Sequence, residues 1–195
     1  MIKFCIWDVG QVTYKYSLLP LYEWLKEHTL KLEIFEQRKG RFSFDDYMKG
    51  ECSFEDMCKD LCLFYGVPYD LEKSLVINEL LHKGIGEYIE ETRKIRVETK
   101  AKGIINGVLS NALPCLADAL NDETFDKRYI FTSYQMHLLK PDKRIFKRLV
   151  EQLDCRPDEI CFIDDKLKNV DAARSVGINA YQYLCGEFHY SKSVF

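Results

Sequence analysis

The sequence predicts an α/β fold in which a parallel-sheet core carries an inserted helical segment. In the second half of the chain, short apolar runs rich in β-branched and aromatic residues alternate with amphipathic helical segments. That alternation is typical of an open parallel sheet. The first apolar run, residues 2–9, is followed instead by helical patterns through residues 16–86. Because connections in α/β units take about 2 to 6 residues, this long stretch is predicted to be an insertion.

The core is predicted to contain five strands separated by helices. Residues 2–9 form an almost continuous apolar run, as expected for a parallel strand that is covered on both faces. Helices are expected over residues 113–120 and 141–153, and a further helix is expected to end at Gly177. The predicted strands are residues 2–9, 104–111, 129–134, 159–164 and 179–184.

The insertion is predicted to be helical because it carries helix start and stop signals. Residues 43–46 and 53–56 both have a capping-box pattern, in which a serine and an acid three residues later satisfy the opening amides of a helix. Asp replaces the usual Glu in both. Gly66 is suited to end the second helix, and Asp70 is suited to cap the next one. From the second box onward, six residues fall on one helical face: Phe54, Met57, Cys58, Leu61, Cys62 and Tyr65.

Composition excludes several classes of protein. The chain has 195 residues, with 28 Lys+Arg against 31 Asp+Glu and a net charge of −3, which argues against a nucleic-acid partner. No apolar run approaches the roughly 20 residues of a membrane span, and no signal-peptide pattern opens the sequence. The eight cysteines are therefore expected to be free thiols in a reduced, cytoplasmic protein.

Polar side chains stand at the ends of the predicted strands. Asp8 ends the first strand, Ser110 and Asn111 end the second, and Asp164 and Asp165 end the fourth. Two further polar residues lie close by in sequence, Lys140 after the third strand and Asn169 after the acidic pair. Ligands of open parallel sheets bind beyond the carboxyl ends of the strands, so we expect these side chains to form one site.

Four segments carrying these residues resemble the motifs of the haloacid dehalogenase-like (HAD) hydrolase superfamily. They are FCIWDVGQV, VLSNA, LLKPDKRIF and CFIDDKLKNVDAARSVGI, in that order. The resemblance implies a Rossmann-like three-layer core over residues 1–15 and 87–195, with a helical cap over residues 16–86. Within the superfamily, the Asp-x-Gly opening resembles the branch near glucose-1-phosphate phosphatases and the N-terminal phosphatase domain of soluble epoxide hydrolases.

The resemblance also implies roles for the strand-end residues. Asp8 would be the nucleophile that forms an aspartyl-phosphate and a ligand of Mg²⁺. Further metal ligands would be the Gly10 carbonyl and Asp165, with Asp164 beside them as a ligand or a support. The other implied roles are phosphate binding by Ser110 and Asn111, charge neutralisation by Lys140, and orientation of the acidic loop by Asn169.

Position 10 departs from the superfamily pattern. Most phosphatases of the superfamily carry an Asp two residues after the nucleophile as the general acid and base, whereas this chain has Gly10 followed by Gln11. Three possibilities stay open. Thr13, Tyr14, a cap side chain or a water on the metal replaces the acid; the substrate has a good leaving group; or the protein binds phosphorylated ligands with little turnover.

The sequence as a whole favours a Mg²⁺-dependent phosphatase that hydrolyses a small phosphorylated metabolite, with a sugar phosphate as the expected substrate. One alternative is a catalytically weak protein that binds phosphorylated ligands. Another is a metal-independent haloacid dehalogenase, for which the pair Asp164 and Asp165 is poorly suited. We expect a monomer or homodimer. His28 and His82 are expected to be surface or packing residues unless they reach the site from the cap.

Overall fold

The structure is a computed structural model that describes residues 1–116 and 122–184, together with the backbone of residues 187–188. The strands are β1 (Phe4–Trp7), β2 (Tyr14–Tyr16), β3 (Ile85–Tyr88), β4 (Ile105–Ser110), β5 (Ile130–Thr132), β6 (Ile160–Asp164), β7 (Asn179–Leu184) and β8 (Glu187–Phe188). The helices are α1 (Leu19–His28), α2 (Leu32–Arg38), α3 (Asp45–Met48), α4 (Phe54–Tyr65), α5 (Leu71–Lys83), α6 (Glu90–Ala101), α7 (Ser133–Met136), α8 (Lys143–Leu153) and α9 (Leu167–Arg174).

The main sheet has the order β5-β4-β1-β6-β7-β8. Its first five strands are parallel, and the short β8 pairs antiparallel with β7. The predicted α/β fold class is therefore confirmed. Since β1 lies between β4 and β6, the residue that follows it is placed at the middle of the sheet edge.

Helices cover both faces of this sheet. Successive side chains of β1 point to opposite faces, as they must in a strand, and all four are buried. Phe4 and Ile6 join a cluster with α8 and α9. Cys5 and Trp7 join a second cluster that includes Ile95 of α6. Burial on both faces explains why this segment is a continuous apolar run.

The insertion forms a helical layer with its own apolar cluster. Helices α1 to α5 lie between β2 and β3 in sequence, and their buried side chains pack together. The face predicted for α4 is confirmed, because five of its six residues are buried and Phe54 is partly buried. Gly66 ends α4 in the left-handed conformation with φ of 70°, which glycine adopts at little cost. The cap limits at residues 16 and 86 stay a prediction.

A two-stranded antiparallel ribbon joins the insertion to the core, and it was not predicted. Strand β2 pairs with β3, and Tyr14 packs on Tyr88 with their ring centroids 4.4 Å apart. Each strand has only three or four residues, which is too short for an alternating pattern to stand out.

Several predicted boundaries are wrong. The capping box at residues 43–46 does not form, because Phe44 is the N-cap of α3 and the Ser43 hydroxyl accepts from the N–H of Asp45. The third core strand ends at Thr132, and the next residues form the short helix α7. The helix before Gly177 ends at Arg174.

The predicted helix at residues 113–120 is only partly described. Residues 114–116 form a single 3₁₀ turn, and residues 117–120 lie outside the described part of the chain. Within that part, no helix has the length and apolar character needed to cross a membrane.

Candidate active site

The strand-end residues meet at one cavity beyond the carboxyl edge of the main sheet. Asp8 follows β1, Ser110 ends β4 and Asp164 ends β6. The cavity has a volume of about 500 Å³, which is within the usual range for small-molecule sites. Seven of the eight predicted site residues line it: Asp8, Gly10, Ser110, Asn111, Lys140, Asp165 and Asn169. The eighth, Asp164, is buried and bonded to Lys140.

Lys140 is the buried cation of the site. Its Nζ donates to Oδ1 of Asp8 at 2.8 Å, to Oδ2 of Asp164 at 2.7 Å and to the carbonyl of Leu109 at 2.8 Å. Asn111 holds the Lys140 backbone through two hydrogen bonds of 2.9 Å, one accepted and one donated by its side-chain amide. The ammonium group is thereby aimed at the two carboxylates.

Charge is not balanced around this lysine. Burial raises the pKa of Asp8, and Asp164 adds to that increase although Lys140 opposes it. Burial works to lower the pKa of Lys140, but the charges of Asp8 and Asp164 outweigh it and raise that pKa. Carboxylate oxygens of Asp8, Asp164 and Asp165 all lie within 4.8 Å of one another. Three carboxylates around one buried ammonium group leave an excess of negative charge, which the exposed Lys166 beside Asp165 offsets only in part.

The two neighbouring acids of β6 differ in what they contact. Oδ1 of Asp164 accepts from the N–H of Lys166, Oδ2 accepts from Lys140, and the Asn169 amide donates to both oxygens at 2.9 Å. By contrast, Oδ1 of Asp165 is buried and has no hydrogen-bond partner among the described residues. Burial and the charge of Asp8 raise the pKa of Asp165 to about 6.

The carboxylate oxygens of this site fit a divalent cation that prefers oxygen ligands. A buried carboxylate oxygen without a partner is costly, and a bound cation would satisfy that oxygen and offset the excess negative charge. Asp165 and Asp8 are the carboxylates best placed for this. Asp164 is saturated by Lys140, Lys166 and Asn169, so it supports its neighbours.

The loop after β1 is shaped by its backbone. Gln11 has φ of 62°, a left-handed conformation that glycine and asparagine favour more than glutamine does. Apart from the two neighbouring residues of the chain, a Cβ added at Gly10 would meet no described atom within 4 Å. The Thr13 hydroxyl donates to the Asp8 carbonyl at 2.9 Å, and the Tyr14 hydroxyl donates to that of Tyr88 at 3.1 Å. Both proposed replacements for the missing acid therefore already donate elsewhere.

Beside the polar side chains of Gln11, Tyr14, Tyr16 and Lys166, which also line the cavity, the wall has an apolar part. It is built by side chains from the insertion, the ribbon and the loop after β4: Leu18, Phe44, Met48, Ile85, Leu113 and Leu116. His28 and His82 do not line this cavity, and each ring bonds a carbonyl of its own helix. They are surface residues, as expected.

A buried polar network beside the site was not anticipated from the sequence. Arg96 of α6 is fully buried and pairs with Asp122 at 3.0 Å. It also bonds Thr92, whose hydroxyl donates to the Val12 carbonyl in the loop after β1. The acidic start and basic end of residues 87–102 are typical of a solvated helix and gave no indication of a buried arginine. The spacing of Thr92, Arg96 and Thr99 on one face was the available signal.

The sequence of this chain matches a family model and is similar to part of a curated protein. Residues 63–177 match the family model described as haloacid dehalogenase-like hydrolase. The sesquiterpene phosphatase astK of Aspergillus oryzae is 41% identical over 49 residues, which are 25% of this chain and 25% of that protein. The matched segment therefore spans about a quarter of the length of this curated relative.

Solved structures with the same fold cover nearly the whole chain. A HAD family enzyme from Bacteroides thetaiotaomicron, in complex with magnesium and inorganic phosphate, has a TM-score of 0.76 at 21% identity, covering 97% of this chain and 98% of that one. A predicted HAD-like family hydrolase from Porphyromonas gingivalis has a TM-score of 0.73 at 22% identity, with coverage of 96% and 93%. The L-2-haloacid dehalogenase of Xanthobacter autotrophicus has 0.64 at 14%, with coverage of 100% and 80%. Such identities establish the fold alone.

Proposed function

The chain belongs to the haloacid dehalogenase-like hydrolase family and is a hydrolytic enzyme, and we propose that it hydrolyses small phosphate monoesters with the help of Mg²⁺. The observation that carries this proposal is the group of three carboxylates within 4.8 Å of one another, with Lys140 bonded to two of them. The phosphatase from Aspergillus oryzae and the magnesium and phosphate bound by the Bacteroides enzyme support it.

Asp8 is the nucleophile of the proposed reaction. One of its carboxylate oxygens attacks phosphorus, the bond between phosphorus and the ester oxygen breaks, and the leaving oxygen takes a proton from solvent water and departs as the alcohol. Water then attacks the aspartyl-phosphate, which releases inorganic phosphate and restores the carboxylate. The Lys140 ammonium, 2.8 Å from Oδ1 of Asp8, orients this carboxylate and neutralises charge that develops near it.

Asp8, Asp165 and the carbonyl of Gly10 would hold the metal. When bound, Mg²⁺ reduces the repulsion between the anionic nucleophile and the phosphate dianion. Ser110 and Asn111 would donate hydrogen bonds to the phosphoryl oxygens. The side chain of Asn111 also holds the backbone of Lys140 in place. Asn169 and Asp164 would keep Lys140 and the acidic loop in place.

Two alternatives remain, each with its own observation. The absence of a carboxyl side chain at Gly10 favours a protein that binds phosphorylated ligands and turns them over slowly. The fold shared with L-2-haloacid dehalogenase would favour a dehalogenase, but the excess of carboxylates repels the carboxylate substrate of such an enzyme. The sugar phosphate expected from the sequence as the substrate stays a prediction.

Phosphate release from p-nitrophenyl phosphate tests this proposal. We expect turnover with Mg²⁺, loss of turnover on adding EDTA, and recovery when excess Mg²⁺ is returned. Phosphate binding without turnover across a broad panel of esters would favour the binding protein. Chloride release from a 2-haloacid without metal would favour the dehalogenase.

A further inference from the structure

The cavity combines a charged floor with an apolar wall. We propose that the preferred substrates carry a hydrocarbon group, aliphatic or aromatic, on the phosphate instead of a sugar. This inference rests on the proposed phosphatase activity, because it assigns the phosphate to the Asp8 end of the cavity. The apolar wall then receives the rest of the substrate.

The apolar wall is built from three parts of the fold. Leu18, Phe44 and Met48 come from the insertion, Ile85 comes from the ribbon, and Leu113 and Leu116 follow β4. Phe44 and Leu113 are also buried members of the apolar cluster of the insertion. The wall is therefore continuous with a packed core, and an apolar ligand group would extend that core.

Gln11, Tyr14 and Tyr16 line the cavity beside this wall, and the first two already bond within the protein. The Gln11 side chain donates to the Tyr16 carbonyl at 2.6 Å, and the hydroxyls of Tyr14 and Tyr88 bond each other. The Tyr16 hydroxyl is buried and has no hydrogen-bond partner in the described part of the chain. A sugar would bury several hydroxyls here, and each one left unpaired weakens binding by about ten-fold or more.

The first experiment compares alkyl phosphates of increasing length with a six-carbon sugar phosphate. The value of kcat/KM is measured by phosphate release with Mg²⁺ for methyl, butyl and hexyl phosphate and for glucose 6-phosphate. We expect it to rise about three-fold for each added CH₂ until the cavity is filled. Hexyl phosphate should exceed glucose 6-phosphate by about 100-fold.

Substitutions in the apolar wall test whether this wall causes the preference for hydrocarbon groups. Met48→Gln changes polarity with little change in shape and should lower the ratio of kcat/KM for hexyl phosphate to kcat/KM for methyl phosphate by about ten-fold. The control is Leu75→Gln on α5, because Leu75 is 70% exposed and does not line the cavity. It should leave the ratio of hexyl to methyl phosphate unchanged.

The outcomes separate the two proposals. If glucose 6-phosphate is hydrolysed as well as hexyl phosphate or better, the hydrocarbon preference is overturned and the phosphatase remains. If p-nitrophenyl phosphate and every other ester are inert, the phosphatase proposal fails. Calorimetry with alkylphosphonates then tests whether the apolar wall binds a hydrocarbon group. Tighter binding of hexylphosphonate than of methylphosphonate supports the hydrocarbon preference, and equal affinity contradicts it.

Discussion

Gly10 offers the simplest test of the chemistry at the scale of single residues, because a side chain added there has room. Outside the two neighbouring residues of the chain, no described atom lies within 4 Å of a Cβ built on Gly10, and the position lines the cavity. Gly10→Asp should therefore supply the missing general acid. We expect kcat for alkyl phosphates to rise by about 10- to 100-fold, with less than about three-fold change for p-nitrophenyl phosphate, whose leaving group needs little protonation.

The matched control is Gly10→Asn, which has nearly the same shape and cannot act as an acid. Steady-state rates for both variants on hexyl and p-nitrophenyl phosphate check the prediction. An equal gain on both substrates, or the same gain with Asn, would show that protonation of the leaving group does not limit the rate.

The neighbouring acids Asp164 and Asp165 are expected to respond differently to the same substitution. Asp165→Asn removes the carboxylate whose buried oxygen has no partner among the described residues, so the Mg²⁺ concentration for half-maximal activity should rise by about 100-fold. Asp164→Asn should lower kcat, since Lys140 loses a partner, with at most a few-fold change in the Mg²⁺ requirement. Magnesium titrations of activity and of calorimetric binding measure both. The reverse pattern would exchange the two roles.

Much of the candidate site could be predicted from the sequence at the scale of single residues. Strand ends of a parallel sheet meet at one edge, which is why Asp8, Ser110 and Asp164 were identified from their positions alone. Hydrogen-bond partners cannot be predicted in that way. The pairs Asp164–Lys140 and Arg96–Asp122 join side chains 24 and 26 residues apart, and sequence spacing carries no information about such contacts.

Among the elements, α4 provides a direct test of helix capping. The Ser53 hydroxyl accepts from the N–H of Asp56 at 3.1 Å and donates to its carboxylate at 2.6 Å. Ser53→Ala should lower the free energy of unfolding by about 1 kcal/mol. The control is Ser43→Ala, which should cost less, because the Ser43 hydroxyl accepts only from the N–H of Asp45 and forms no capping box with the short helix α3. Urea unfolding of both variants measures this, and an equal loss would contradict the assignment.

Long periodic elements were predicted well, whereas short ones were not. Helices α4 and α8 bury the apolar faces that their spacing indicates, because an apolar stripe repeated over three turns is typical of a helix with one buried face. The ribbon strands are too short to repeat. The third core strand was extended too far because Ser133 and Tyr134 suit a strand as well as a turn, and only tertiary packing selects between them.

For the molecule as a whole, the buried pair Arg96–Asp122 connects α6 to the segment before β5 and, through Thr92, to the loop after β1. Burial works to raise the pKa of Asp122. Hydrogen bonds from Thr124 and the charge of Arg96 outweigh burial and lower it. Asp122→Asn leaves a buried guanidinium without its counter-ion and should lower the free energy of unfolding by about 3 kcal/mol at pH 7.

The pH dependence of this loss has a definite sign. Because the folded pKa of Asp122 lies below the unfolded value of about 3.9, its carboxylate stabilises the fold above about pH 4 and loses that contribution as pH falls through the folded pKa. The difference in stability between wild type and Asp122→Asn should therefore shrink below about pH 4. Urea unfolding at a series of pH values checks this, and a constant difference would assign the cost to packing.

The proposed function depends above all on Asp8 carrying the phosphoryl group during turnover. The most direct measurement is an acid quench of the enzyme turning over p-nitrophenyl phosphate with Mg²⁺, followed by mass spectrometry of the peptide that contains Asp8. We predict a phosphoryl group on Asp8 in the wild type and none in Asp8→Asn, which should keep the wild-type melting profile without turnover. A phosphoryl group on another residue, or full turnover by folded Asp8→Asn, would contradict the role of Asp8 as nucleophile.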